Sequence, residues 1–143
     1  MSTITQVLDG IRDAIKAGMP STDPLAGRVY SLSPDSLNPP TAVVVPAPGD
    51  FLFYDDTYQG ATDNFAVVVK VLNGTQDSTS SQALLLGYMA KTGATSIRAA
   101  LLANPTLSGV CAYMQIPTAQ NYGDVEWAGQ QFLGFELPVA VFT

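Results

Sequence analysis

The side chains that carry most enzyme chemistry are scarce in this chain. It has no histidine and one cysteine, Cys111, among its 143 residues. Ser-His and Cys-His pairs, in which a base activates a nucleophile, are therefore impossible. Zinc sites that combine histidine with several cysteines are excluded for the same reason. The phosphate-binding patterns Gly-x-Gly-x-x-Gly and Gly-Lys-Ser/Thr are also absent from the sequence.

Carboxylates are the remaining candidates for chemistry. Asp55, Asp56 and Asp63 form an acidic segment of the kind that holds Mg²⁺ or Ca²⁺, but the calcium-loop pattern that starts at Asp55 has alanine where its twelfth position needs glutamate. Asp124 and Glu126 are the residue types of a glycosidase pair, yet nothing indicates the raised pKa that one member needs. We interpret these acids as solvated charges and predict no catalytic residue, metal site or cofactor.

Composition and charge indicate a folded protein that does not bind nucleic acid tightly. Apolar residues make up 47% of the chain and charged residues 13%, unlike a disordered sequence. The net charge of −6 opposes tight contact with a phosphate backbone. The N-terminus lacks the basic start and apolar run of an export signal, so we expect a cytoplasmic protein. Apolar runs are far shorter than the roughly 20 residues of a membrane span, so we expect no membrane partner.

The first half of the chain predicts one helix and four strands. Apolar residues at helical spacing predict a helix over residues 3–17, with a Thr3–Gln6 capping box at its start and Gly18 as a left-handed cap at its end. Proline-bounded segments predict strands at 28–32 and 42–45, and aromatic alternation predicts a third at 51–58. The nearly continuous apolar run at 65–72 predicts a central strand.

The second half predicts two helices and two strands. A Ser/Thr cluster precedes a helix with one face marked by Gln82, Leu85, Leu86 and Met89 and widened by Leu84 and Tyr88. Residues 97–102 are predicted to form a short helix capped by Thr95 or Ser96. Alternation predicts strands at 110–116 and 133–141. Cys111 falls within the first of these and is interpreted as a small core residue. Pro138 places the last strand at a sheet edge or on a bulge.

The order of elements predicts a single α+β domain over residues 1–143, with a mixed or largely antiparallel sheet and helices packed on one face. Two segments are candidates for contacts. The aromatic strand and its acidic end are the candidate subunit interface: Phe51, Phe53, Tyr54, Asp55, Asp56 and Tyr58. Residues 118–130 are predicted to be a long polar loop, and its candidate contacts are Tyr122, Asp124, Glu126 and Trp127. For Tyr122 and Trp127 we equally consider a local role in covering the core.

Three segments resemble the tail terminator proteins of long-tailed bacteriophages, in particular of phages that infect actinobacteria. The first is Ser-Pro-Asp-Ser-Leu-Asn-Pro-Pro at 33–40, followed by a valine-rich strand. The second is Lys-Thr-Gly-Ala-Thr-Ser-Ile-Arg-Ala-Ala-Leu at 91–101, between the two helices, and the third is the pair of closing strands. The resemblance covers nearly the whole chain, but none of these segments is a signature motif.

The resemblance implies a structural virion protein that forms a homohexameric ring on the head-proximal end of the tail tube. The ring would end tube polymerisation and then offer a surface to the head-tail connector protein. Its partners would be further copies of itself, the tail tube protein and the connector, and it would be assembled in the host cytoplasm. DNA would pass through the acidic ring without tight binding. The candidate loop would then face the tube or the connector.

Three other interpretations stay open on the sequence. The nearest is another ring of the head-tail joint, such as a head-completion or tail-completion protein. The second is a monomeric adaptor or binding module outside any virus. The third is an enzyme, which would need a metal ion held by carboxylates.

Overall fold

The fold is a mixed β-sheet with helices packed on one face. The computed structural model describes residues 3–32, 39–54, 63–74, 79–127 and 129–143. Within these residues, the elements in chain order are α1 (Ile4–Gly18), β1 (Val29–Ser31), β2 (Thr41–Pro46), β3 (Leu52–Phe53), β4 (Asn64–Leu72), α2 (Thr79–Met89), α3 (Ile97–Leu102), β5 (Tyr113–Gln115), β6 (Gln120–Trp127) and β7 (Gln130–Phe142). The predicted α+β class with a mixed sheet is confirmed.

Strands β4 and β7 form the centre of the sheet and pair antiparallel along their length. On the outer side of β4 lie β2 and β3, both antiparallel to it, and β1 pairs parallel with β2. On the outer side of β7 lie β5 and β6, both antiparallel to it. Each central strand therefore has two shorter partners on its outer side, one toward each end.

Pro138 lies in a central strand, so the prediction of an edge or bulge position is wrong. It is opposite Val68 on β4. On the other side of β7, pairing with β6 ends at Glu136 and pairing with β5 begins at Ala140. A proline cannot donate a backbone hydrogen bond. The gap between β6 and β5 removes the need for that donor, which explains why a proline is accommodated here.

The main core lies between the helices and one face of the sheet. Alternate residues of β4 and β7 point into it, including Val67, Val69, Phe135 and Val139, because successive side chains of a strand point to opposite faces. A smaller cluster on the opposite face consists of Leu72, Val125 and Phe132, with Trp127 packed against it. The two faces of the sheet are thus unequal, and the helices cover only one of them.

Helix α1 begins as the sequence predicts and ends differently. Thr3 and Gln6 form the capping box through both reciprocal hydrogen bonds. Gly18 is the last helical residue and not a left-handed cap, so that prediction is wrong. A Cβ atom on Gly18 would overlap the side chain of Ala100 and lie 2.7 Å from its Cα. The glycine therefore permits the close approach of α1 to α3.

Helices α2 and α3 lie where the sequence predicts them, but the predicted buried face of α2 is partly wrong. Leu85 and Tyr88 are fully buried, whereas Leu86, predicted on the same face, is 57% exposed. Three consecutive leucines make this helix apolar nearly all round, so periodicity could not distinguish its faces. Helix α3 has the predicted bounds, and the Ser96 hydroxyl caps it by accepting a hydrogen bond from the N–H of Ala99.

Tyr88 links α2 to the segment after α1 and gives a pH-dependent prediction. Its buried hydroxyl donates a hydrogen bond to Oδ1 of Asp23 at 2.8 Å. Burial, followed by this hydrogen bond to a carboxylate, raises the pKa of Tyr88 above its ordinary value. A folded-state pKa above the unfolded value means that the stabilisation is complete below about pH 10 and is lost as the pH rises above it.

We expect Tyr88→Phe to lower the free energy of unfolding by about 2 kcal/mol at pH 7, because it removes a hydrogen bond to a charged acceptor. The difference from the wild type should shrink above about pH 10, because Tyr88 then ionises in the unfolded chain while its folded hydroxyl stays protonated. Urea unfolding at pH 7 and at pH 10.5 measures both values. Tyr122→Phe, at an exposed tyrosine, is the matched control. An equal loss at both pH values would contradict the assignment.

Candidate functional site

Aromatic side chains converge at one end of the sheet, on the face that the helices leave open. Phe53 is opposite Asn64, Asn64 is opposite Phe142, and Phe142 is opposite Tyr113. This row therefore crosses four strands. Residues directly opposite each other in antiparallel strands point to the same face of the sheet. Their sequence neighbours Phe65, Met114 and Val141 belong to the main core, so the row itself points away from the helices.

Two aromatic side chains of this row are about half exposed, and two of its rings stack on each other. Phe53 and Tyr113 are each 49% exposed. The rings of Tyr113 and Phe142 stack with their centroids 4.6 Å apart and their planes 13° apart. Tyr54, which directly follows Phe53, is 70% exposed. We name Phe53, Tyr54, Tyr113 and Phe142 the aromatic surface.

The predicted subunit interface is partly described by the structure. Phe51, Phe53 and Tyr54 are exposed, as expected of a contact surface. Of the predicted strand 51–58, only Leu52–Phe53 is a strand in the described residues. Asp55, Asp56 and Tyr58 lie outside the described residues.

Sequence reasoning missed Tyr113 and Phe142. They belong to β5 and β7, far from the aromatic segment in sequence, and only the strand register brings them beside Phe53. Phe142 follows the apolar positions predicted for the last strand, on the opposite face. The one available signal is that the alternation of that strand, continued by one residue beyond Val141, places Phe142 outside the core.

The predicted polar loop at 118–130 is wrong, because Gln120–Trp127 is strand β6 and forms a hairpin with β7. Trp127 pairs with Gln130, so only two residues connect the strands. Pairing is irregular between Gln120 and Gly123, where Asn121 has a positive φ of 57°. This irregularity interrupts the alternation that identifies a strand in a sequence.

The hairpin separates the four predicted contact residues. Val125 and Trp127 lie on the open face of the sheet, in the smaller apolar cluster. Asp124 and Glu126 alternate with them, so they lie on the other face, and both are exposed. Tyr122, in the irregular part of β6, is 45% exposed. These residues therefore do not form one surface.

Trp127 covers part of the sheet. It packs against the cluster of Leu72, Val125 and Phe132, and the Nζ atom of Lys70 lies 5.8 Å from the centroid of its ring. A cation at this distance over an indole is a stabilising contact. Replacing Trp127 would therefore disturb packing as well as any contact, so the exposed Tyr122 is the better residue for testing this hairpin.

The described residues contain no group of three or more potential metal ligands. Cys111 is buried, as predicted, and its thiol is 3.5 Å from the carbonyl oxygen of Pro105. Burial raises the pKa of Cys111, which disfavours the reactive thiolate.

Comparison with known proteins gives no relative: no protein-family model matches the chain, and no curated protein is significantly similar to it. Among the described helices, none is both long enough and apolar enough to span a bilayer.

Proposed function

We propose that this chain forms a ring that caps the tail tube of a long-tailed bacteriophage, ends tube polymerisation and provides the surface that the head-tail connector joins. The observation that carries the proposal is the aromatic surface. Three aromatic side chains on an open sheet face, with the exposed Tyr54 next to them in the sequence, are a feature of protein-protein contacts, in which Tyr and Phe are enriched. The assignment to phage tails comes from the resemblance of the sequence segments.

The sheet edge beside the aromatic surface supports contact between subunits. Strand β5 (Tyr113–Gln115) pairs with β7 and, among the described strands, is the last on its side of the sheet. An edge strand has backbone groups that a neighbouring chain can pair with. Tyr113 belongs both to this edge and to the aromatic surface. A neighbouring subunit that docks here would cover apolar side chains and reach the strand edge together.

The charge of the chain fits a ring through which DNA passes. The net charge is −6, and phosphate contacts require cationic side chains. An acidic lumen would repel the phosphate backbone and allow the DNA to slide. In this proposal the exposed Tyr122 on β6 contacts the tube or the connector.

Two measurements test the proposal. Size exclusion coupled to light scattering, over a concentration series, should give a species of about six times the 15.0 kDa subunit mass. Purified tail tubes should then retain the protein at one end, and Tyr122→Ser should weaken this retention without changing the ring. A protein that forms rings yet binds connector complexes in place of tubes would be another ring of the same joint. A protein that forms no ring and does not bind tubes would contradict the proposal.

A further inference from the structure

A cationic pocket lies where α2, α3 and the β5–β6 connection meet. Its volume is about 320 Å³, and Lys91, Arg98, Ile116 and Thr118 are among its lining residues. The chain has only six Lys and Arg residues, and two of them line this one pocket. None of the described residues that line it carries a carboxylate. The pocket therefore favours a negatively charged occupant, in a protein whose net charge is negative.

Arg98 is held in place for such a contact. Its Nε–H donates to the carbonyl oxygen of Ile116 at 3.1 Å, which fixes the side chain against the β5–β6 connection. Its terminal nitrogens have no hydrogen-bond partner among the described residues, and Lys91 is exposed beside the same pocket. A guanidinium group fixed in this way binds carboxylates well because its N–H groups match the two oxygens.

The complementary group is on strand β6. Asp124 and Glu126 are exposed and make no ion pair or hydrogen bond with their side chains in the described part of the chain. Their spacing on one face of the strand places the carboxylates about 7 Å apart. Most other described acids have an interaction within the chain: Asp9, Asp13, Asp23, Asp63 and Glu136. Asp50 is exposed, but no second carboxylate adjoins it in the sequence.

These acids cannot reach the pocket of their own subunit. The pocket includes Ala119, just before β6, whereas Asp124 and Glu126 lie at the far end of that strand. At the usual rise of a β-strand, they lie roughly 15 to 25 Å from Ala119. Any protein partner that joins these two surfaces would therefore come from another molecule.

We propose that the pocket around Lys91 and Arg98 binds Asp124 and Glu126 of a second copy of this chain. The two surfaces are different parts of the subunit, so the contact is head-to-tail, the type that closes into rings. Local charge complementarity offsets the repulsion between two molecules of net charge −6. The pocket begins where β5 ends and the aromatic surface includes Tyr113 of β5, so the two features flank the same strand. The proposal rests on the self-association that the proposed function requires.

Charge reversal tests the contact. Arg98→Glu alone and Glu126→Arg alone should each weaken self-association by roughly 100-fold, because like charges then face each other across a close contact. The double variant R98E/E126R should recover it, and so should an equal mixture of the two single variants. In a ring in which the two variants alternate, every contact joins opposite charges. Lys91→Glu, at an exposed residue, should act like Arg98→Glu without loss of the Ile116 hydrogen bond.

The control variants reverse a single charge at positions outside the proposed contact. Lys16→Glu and Asp50→Arg, both at exposed positions, should leave self-association within a few-fold of the wild type, and circular dichroism verifies the fold of each variant. Sedimentation velocity over a concentration series measures assembly. Single variants that assemble normally, a folded double variant that does not recover, or a wild type that stays monomeric would each overturn the contact. Stabilisation by inorganic phosphate without self-association would instead identify a free anion as the occupant.

Tail-tube binding by the wild type separates this inference from the proposed function. If the double charge-reversal variant recovers self-association but the wild type does not bind tail tubes, the contact would be supported and the phage assignment would be contradicted. If Arg98→Glu leaves tube capping intact, the phage assignment would be supported and the proposed contact would be overturned.

Discussion

Gly134→Ala is expected to lower the free energy of unfolding by about 3 kcal/mol, toward the upper end of what overpacking costs. Gly134 lies in β7, opposite Leu72 of β4 on one side and Gly123 of β6 on the other. A Cβ atom built on it would overlap the carbonyl oxygen of Val71 and lie 3.3 Å from a side-chain methyl of Val125. Backbone in a paired central strand cannot move aside without breaking the ladder.

Gly27→Ala is the matched control. Gly27 has no atom within 4 Å of a built Cβ and does not have a positive φ, so alanine there should change stability little or raise it slightly. Urea denaturation of the two variants and the wild type gives the comparison. If Gly134→Ala were as stable as the control, β4 and β7 could not be paired closely at this point. The central register of the sheet would then have to be revised.

The sequence predicted the elements that local patterns define. The capping box of α1, the bounds of α3 and the central position of β4 follow from residues close together in the chain. Strand β6 was missed because the irregular pairing between Gln120 and Gly123 interrupts its alternation, which leaves only residues 124–127 with an alternating pattern. The position of Pro138 was missed because a gap between two partner strands is a property of the sheet and has no local signal.

The candidate surfaces also divide into parts that a local sequence pattern indicates and parts that it does not. Exposed Phe51, Phe53 and Tyr54 come from one aromatic run that the sequence shows directly. Tyr113 and Phe142 join the aromatic surface only through the strand register across β4 and β7. The cationic pocket forms only because α3 packs beside the β5–β6 connection. Contacts between distant segments are fixed by the packing of the whole sheet. Composition and spacing alone could therefore indicate a contact protein but could not define its surfaces.

A double replacement at the aromatic surface, Phe53→Ser with Tyr113→Ser, is expected to weaken self-association by about 1,000-fold while leaving the fold intact. Both side chains are 49% exposed, so their loss should cost the monomer little. Aromatic residues at the centre of an interface commonly contribute 2 kcal/mol or more each, and about 4 kcal/mol corresponds to the expected change in the dissociation constant. Light scattering across a concentration series measures the effect.

Leu32→Ser provides the control, because this leucine is 52% exposed and directly follows β1, the edge strand on the opposite side of the sheet from β5, and should not alter assembly. The aromatic and charge-reversal variants together separate two contributions to the contact. Added salt should weaken the contribution of Arg98 and Glu126, since screening reduces the attraction between exposed charges. It should leave the aromatic contribution nearly unchanged, because burial of apolar surface does not depend on charge. Assembly that is equally strong in the double aromatic variant would show that the subunits meet at another surface.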